Sequence, residues 1–232
     1  NPAIADVRGV NFRNIIINGD MSIAQRGTSA TGLGNGDTGY HTCDRWKWTE
    51  GGSPTFEFTM SQDTDVPTGQ GFANSLKYDC TTADTSFASS DLLRLQQEIE
   101  GQNLQYLKKG TSNAKSLTVS FWVKSNKTGT YIAELEDRDN SRYISQSYTI
   151  SSADTWEKKT ITFSGDTSGT LDNDNGNSLR LNFWLGGGSD FTSGTLSTTW
   201  HTTNANRAVG QVNLADSTSN EWYITGVQLE AG

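Results

Sequence analysis

Ser116-Leu117-Thr118-Val119-Ser120-Phe121-Trp122-Val123-Lys124 alternates without a break. Leu117, Val119, Phe121 and Val123 fall on one face and Thr118, Ser120, Trp122 and Lys124 on the other. That is the period of two of a half-buried β-strand. Leu179 to Leu185 repeats the pattern, with Leu179, Leu181, Phe183 and Leu185 on the core face and Arg180, Asn182 and Trp184 opposite. In Leu93 to Ile99, Leu93, Leu95 and Ile99 share a face that Gln97 interrupts, and Arg94, Gln96 and Glu98 take the other side. Strands with one apolar face bury it against a second layer, which points to packed antiparallel sheets.

Outward from these three, the same reading predicts strands over Cys43 to Thr49, Thr55 to Met60, Ser75 to Asp79, Gly129 to Glu136, Tyr143 to Ile150, Trp156 to Phe163, Val209 to Asn213 and Trp222 to Leu229. Clusters of Gly, Asn, Asp and Ser separate them, as turn chemistry demands. Ile15, Ile16 and Ile17 read as a first strand that stops at Asn18-Gly19-Asp20. Gly27 to Gly39 is polar enough to read as one long surface loop, and Asn103 to Lys109 as one or two helical turns. Residues 1 to 13 look irregular. The fold class is therefore all-β, a two-sheet antiparallel sandwich (jelly roll) forming a single domain over residues 14–232. Seven Trp, seven Tyr and nine Phe supply its core despite a hydrophobic content of 33%. No fixed-period repeat supports a propeller or solenoid.

A net charge of −8 opposes binding to nucleic acid and to anionic membrane surfaces. No apolar run is long enough to span a bilayer, and residues 1 to 25 lack the layout of a signal peptide, so the chain reads as soluble. Cys43 and Cys80, with His41, Asp44 and Asp79 nearby in sequence, lack zinc-ligand spacing and fit two buried thiols better than one disulfide. His41 and His201 lie in polar loops away from any nucleophile elbow. Gly186-Gly187-Gly188 reads as a flexible turn rather than the opening of a helix, and Asp172 to Asn177 as a solvated hairpin turn.

Several segments in order are distinctive: Arg13-Asn14-Ile15-Ile16-Ile17-Asn18-Gly19-Asp20, Gln25-Arg26-Gly27-Thr28, Asp44-Arg45-Trp46, Leu117 to Lys124, and Ile224-Thr225-Gly226-Val227-Gln228-Leu229-Glu230. Together they resemble the carbohydrate-binding-module-like jelly-roll domains of bacteriophage tail fibres and other virion appendages, notably of marine and cyanobacterial phages. The resemblance implies a virion protein that contacts a host-surface glycan alongside other virion proteins, as part of a homotrimer. Wider kinship to jelly-roll carbohydrate-binding modules implies a structural calcium ion held by acidic residues near the first and last strands. Asp20 and Glu230 are the candidates here, although Thr225-Gly226 stands where that pattern has an acidic pair.

The candidate ligand face combines the non-core positions of three strands: Arg94, Gln96 and Glu98; Trp122; and Arg180, Asn182 and Trp184. A sugar stacks its C–H faces on indole rings while its hydroxyls take donors and acceptors from amide, carboxylate and guanidinium groups. A subunit interface and a covering loop suit the same residues, since periodicity gives the side a residue faces and not what it meets there. Trp46, Trp48, Trp156 and Trp222 read as packing residues, and Trp200 as either a loop anchor or an exposed platform. Glu98, Glu134 and Glu136 raise a glycoside hydrolase as the alternative, because that chemistry needs two carboxylates facing each other across the scissile bond.

Overall fold

The computed structural model describes residues 14–232, so the expectation for residues 1 to 13 lies outside the described residues. Eleven strands follow in order: β1 (Ser29–Gly34), β2 (Lys47–Gly51), β3 (Glu57–Asp63), β4 (Ser75–Thr82), β5 (Leu92–Glu100), β6 (Leu117–Ser125), β7 (Gly129–Asp137), β8 (Arg142–Ile150), β9 (Glu157–Phe163), β10 (Asn177–Gly187) and β11 (Glu221–Ala231). A single helical turn, α1 (Ser189–Thr192), follows β10, and four 3-10 turns complete the regular structure. Six strands form one sheet in the order β1-β3-β4-β11-β6-β9, and five form the other in the order β2-β5-β10-β7-β8. Every pairing is antiparallel. The chain is a two-sheet β-sandwich of the jelly-roll kind.

The alternating residues do what their spacing dictates. Val119, Phe121 and Val123 of β6 meet Leu181 and Phe183 of β10 in one core, with Phe121 and Phe183 edge to face at 4.9 Å. Aromatic rings run through the middle: Trp48 stacks on Tyr78 at 5.1 Å, and Tyr78 meets Trp222 edge-on at 6.0 Å. Trp46, Trp48 and Trp222 are fully buried, as the sequence suggests. Cys43 and Cys80 are both free and buried.

Three expected elements differ. Ile15 to Ile17 forms no strand: its backbone bonds Leu229 O on one side and the Gln97 side chain on the other, bridging the two sheets instead of extending either. This also explains why Gln97 interrupts the apolar row. Its carboxamide faces inward, where it donates to Ile17 O and accepts from Ile17 N–H. The Gly27 to Gly39 loop contains β1, because Leu33 is buried against the core and pairs Phe58, while the neighbouring glycines hide the periodicity. Val209 to Asn213 is not a strand. Gln211 spends its side-chain oxygen on the Ile132 N–H, and Val212 N–H bonds Thr130 O.

Glycine is required where the turn at Gly19 meets the middle of β11. A Cβ on Gly19 would stand 2.0 Å from Val227 O, and Gly226 turns through a positive φ of 63° under the Phe72 ring. Gly226 therefore serves a backbone irregularity between Thr225 and Gln228, which accounts for its presence where an acidic residue was anticipated.

Candidate functional site

Strand register arranges the outward side chains of the five-stranded sheet in three rows. One runs Thr49, Arg94, Trp184, Ile132, Ser147; the next Lys47, Gln96, Asn182, Glu134, Ser145; the third Glu98, Arg180, Glu136, Tyr143. Six of the seven expected ligand residues, Arg94, Gln96, Glu98, Arg180, Asn182 and Trp184, are thus brought together. Trp122 is not. It belongs to β6 in the six-stranded sheet, where its row is Thr225, Trp122, Lys158 on the opposite outer surface. Alternation places each tryptophan off the core of its own sheet, and the two sheets look in opposite directions, so no groove holds both.

The face divides into a covered half and an open half. The excursion between β10 and β11 folds over β7, β8 and Trp184. Gly188, at the end of the triple glycine, initiates the helical turn α1, contrary to the flexible turn expected there. Phe191 of that turn lies 5.3 Å from the Trp184 ring, and Tyr143 exchanges two backbone hydrogen bonds with His201, closing the free edge of β8. Arg207 hangs from this roof. Its guanidinium grips Glu134 at 2.8 and 2.7 Å, reaches Glu136 at 3.2 Å and lies 3.9 Å from the Tyr143 ring centre. Arg94 bonds Glu136 at 3.3 Å with its guanidinium over Trp184, and Asn182 donates to both glutamates. Two arginines and two glutamates balance in charge, and each carboxylate receives several donors, the condition under which buried ions are tolerated. Burial alone would raise the Glu136 carboxyl, yet Arg94, Arg207, Asn182 and Arg180 bring it down to about 2. Sequence reasoning missed Arg207 and Phe191, which lie in a polar stretch without period.

On the open half, Glu98 is the hub. One of its carboxylate oxygens accepts from Lys47 Nζ at 3.1 Å, Gln96 Nε2 at 2.8 Å and Arg180 Nη2 at 3.0 Å; the other accepts from the Tyr40 hydroxyl at 3.2 Å. Arg45 donates to the Glu98 backbone carbonyl at 3.4 Å. Lys47, Glu98 and Arg180 each keep about a fifth of their side-chain surface exposed, at 21, 21 and 18%. Burial raises the Glu98 carboxyl, but the hydrogen bond and charge of Lys47, the charge of Arg180 and the Tyr40 hydroxyl outweigh it, and the net direction is down. Tyr40 hangs over the β2 edge, its ring within 6 Å of both Arg26 and Lys47. Gln96, although on this face, is buried beneath its neighbours.

The remaining candidates are dispersed. Asp20 is exposed and bonds its own turn at Ser22, and Glu230 lies at the far end of β11. Among the described residues no group of three or more His, Cys, Asp or Glu is arranged to hold a metal. Trp156 donates to Asp65 and meets Tyr223 edge-on on the outer face of the six-stranded sheet. Trp200 is a loop anchor: its Nε1 donates to Ser164 O at 2.7 Å and its ring packs on the core.

The architecture defines the class, an antiparallel jelly-roll sandwich with one sheet face partly roofed and partly open. No protein-family model and no curated protein matches the sequence. Among solved structures the chain is similar to a putative sugar-binding protein from Bacteroides thetaiotaomicron, with 13% identity, a TM-score of 0.50, and coverage of 95% of this chain and 100% of that one. It is also similar to the enzymatically active domain of tailspike protein 4 of bacteriophage CBA120 (13% identity, TM-score 0.49, 94% of this chain), of whose length it spans 21%. A third is a CBM4 carbohydrate-binding module, at 12% identity and TM-score 0.45, covering 94% of this chain and 99% of that one. At these identities the likeness is one of fold.

Proposed function

We propose that the chain is a non-catalytic polysaccharide-binding domain, one domain over residues 14–232, displayed as a homotrimer on a virion surface appendage. The glycan lies on the open half of the five-stranded sheet, over Tyr40, Lys47, Glu98 and Arg180. The observation that carries this reading is the Glu98 hub. Four donors converge on one carboxylate, so the ammonium, guanidinium and phenol around it are held in place before any ligand arrives. A saccharide needs such a fixed mixture of donors and acceptors beside an aromatic ring. Trp184 and Asn182 contribute from beneath, by fixing the roof, rather than by touching sugar.

Catalysis fits this geometry poorly. Glycoside hydrolysis needs one carboxyl kept protonated as the acid, whereas Glu98 and Glu136 are both shifted downward and Glu134 is gripped by Arg207. The virion setting and the trimer rest on the ordered motifs that resemble those of phage appendage domains, and many copies on one particle would turn weak single-site affinity into firm attachment. Affinity electrophoresis of the full chain through laminarin, xylan, galactan and alginate tests the reading, with Lys47→Ala and Arg180→Ala beside the wild type and circular dichroism confirming the fold. Retardation by at least one polymer, reduced in both variants, is expected. Mobility unaffected by every polymer, with the protein folded, removes the glycan reading.

A further inference from the structure

Where β5 leaves its partner, the sandwich opens. The pairing of β2 with β5 ends at Lys47 and Gln96, and past it, among the described residues, Arg45 reaches that side of the strand through the Glu98 carbonyl. Beside this uncovered edge lies a cleft of about 950 Å³, whose walls come from the Asn14 to Ile17 bridge, the end of β5, the turn carrying Tyr106, and the end of β11. Its apolar lining is Ile15, Ile17, Ile99, Tyr106 and Ala231, and its polar rim includes Arg45, Glu98, Glu100, Asn103, Lys115 and Glu230.

Exposure singles this cleft out. Among the described residues the exposed large hydrophobic side chains are Ile17 at 51%, Ile23 at 47% and Tyr106 at 39%, and two of the three line it. The other aromatic side chains among the described residues are at least partly buried, so a half-open phenol ring beside an open isoleucine calls for an occupant. The polar lining mixes two cations, three carboxylates and the amides of Asn14, Gln97 and Asn103, which suits a hydroxyl-bearing, uncharged partner with apolar ring faces better than an anion or a purely apolar one. Lys115 Nζ stands 5.9 Å from the Tyr106 ring centre. Glu98 and Arg45 belong both to this cleft and to the floor of the sheet face, so the two surfaces are continuous.

We infer that a saccharide chain bound on the sheet face continues past Glu98 and Arg45 into this cleft, stacking a further unit on Tyr106, so that the domain takes an internal stretch of a long polymer. This rests on the glycan reading of the open face. The floor from β2 to β10 spans two strand spacings, about 10 Å, or roughly two hexose units. Affinity therefore keeps rising with chain length beyond the disaccharide.

The test uses the full chain and the polymer that retards it, cut to oligosaccharides of two to eight units and titrated calorimetrically. Tyr106→Ala is expected to weaken binding of the hexasaccharide roughly 3- to 10-fold, the worth of one stacking contact, and to leave the disaccharide unchanged. Tyr106→Phe keeps wild-type affinity at every length, whereas Arg180→Ala weakens all lengths. Hexasaccharide binding unaffected by Tyr106→Ala but lost in Arg180→Ala overturns the cleft and leaves the face standing. Unchanged binding with a fall in sedimentation mass makes the cleft a contact between copies and likewise overturns it. If no polymer binds the folded wild type, the face and the cleft fail together.

Discussion

Arg207→Ala should loosen the roof and reveal what holds it. The substitution removes two hydrogen bonds to Glu134 and a contact to Glu136, leaving Glu134, which has no exposed surface, with Asn182 as its hydrogen-bond donor and Arg94 at 3.8 Å. Deleting one partner of a buried ion pair costs about 3–5 kcal/mol, because the stranded charge stays desolvated. For a domain of this size each kcal/mol moves the melting temperature by about 2–4 °C, so a fall of roughly 6–20 °C is expected. Calorimetric melts at matched concentration measure it. Limited proteolysis locates it, since cleavage should appear first between Ser189 and Arg207. Replacing the pair together, as Arg207→Met with Glu134→Met, should recover most of the loss, because the apolar pair leaves no orphaned charge. A melting temperature for Arg207→Ala within about 2 °C of the wild type would show that Phe191 and the Tyr143 edge hold the roof unaided, and the ion-pair account would be wrong.

Acid should act through the same cluster: with Glu136 at about 2 in the folded chain and its ordinary value of 4.5 when unfolded, the stability it contributes is complete above about pH 5. On the order of 3 kcal/mol is then lost as pH falls toward 2, and urea midpoints across that window check it. Burial pushes the Cys43 thiol up to about 12 and the Cys80 thiol up to about 11, so both should resist iodoacetamide at pH 8 until urea unfolds the chain. Fast labelling of the folded protein would contradict that. Trp122→Ala, on the six-stranded sheet, should leave glycan retardation intact, and a lowered sedimentation mass would place a subunit contact at that surface.

How much of this was legible depends on what alternation encodes. It separates the two sides of a strand, so Leu117 to Lys124, Leu179 to Leu185 and Leu93 to Ile99 gave their inward residues correctly, and the shared outer face of Arg94, Gln96, Glu98, Arg180, Asn182 and Trp184 follows from it. It does not say which sheet a strand joins. Trp122 and Trp184 look equivalent in sequence and lie on opposite outer faces, because pairing is decided by long-range partners such as Thr225 and Arg94. Nor does it register residues whose role is set from above. Arg207 sits in a stretch of Thr, Asn, Ala and Gly, and only the chain's return over Glu134 gives it meaning. Tyr106 lies in a helical turn, as the spacing of Leu104 and Leu107 indicates, while its exposure depends on where the Asn14 to Ile17 bridge and the end of β11 stop.

The roof and the open floor are coupled by one residue pair. Arg180 reaches Glu98 on the open side at 3.0 Å and lies 3.8 Å from Glu136 beneath the roof, so its guanidinium is set between a solvent-facing carboxylate and a buried one. The buried half is charge-balanced and closed, which leaves it little freedom to rearrange. Lys47 and Tyr40 hold Glu98 from the other side. A glycan bound on the floor as proposed would therefore meet donors whose positions are already fixed, and the ordering cost of those side chains would be met in folding rather than in binding. On this account the glutamates that suggest a hydrolase serve instead to orient arginines, and the buried tryptophan that suggests a stacking platform serves to seat the roof that confines them.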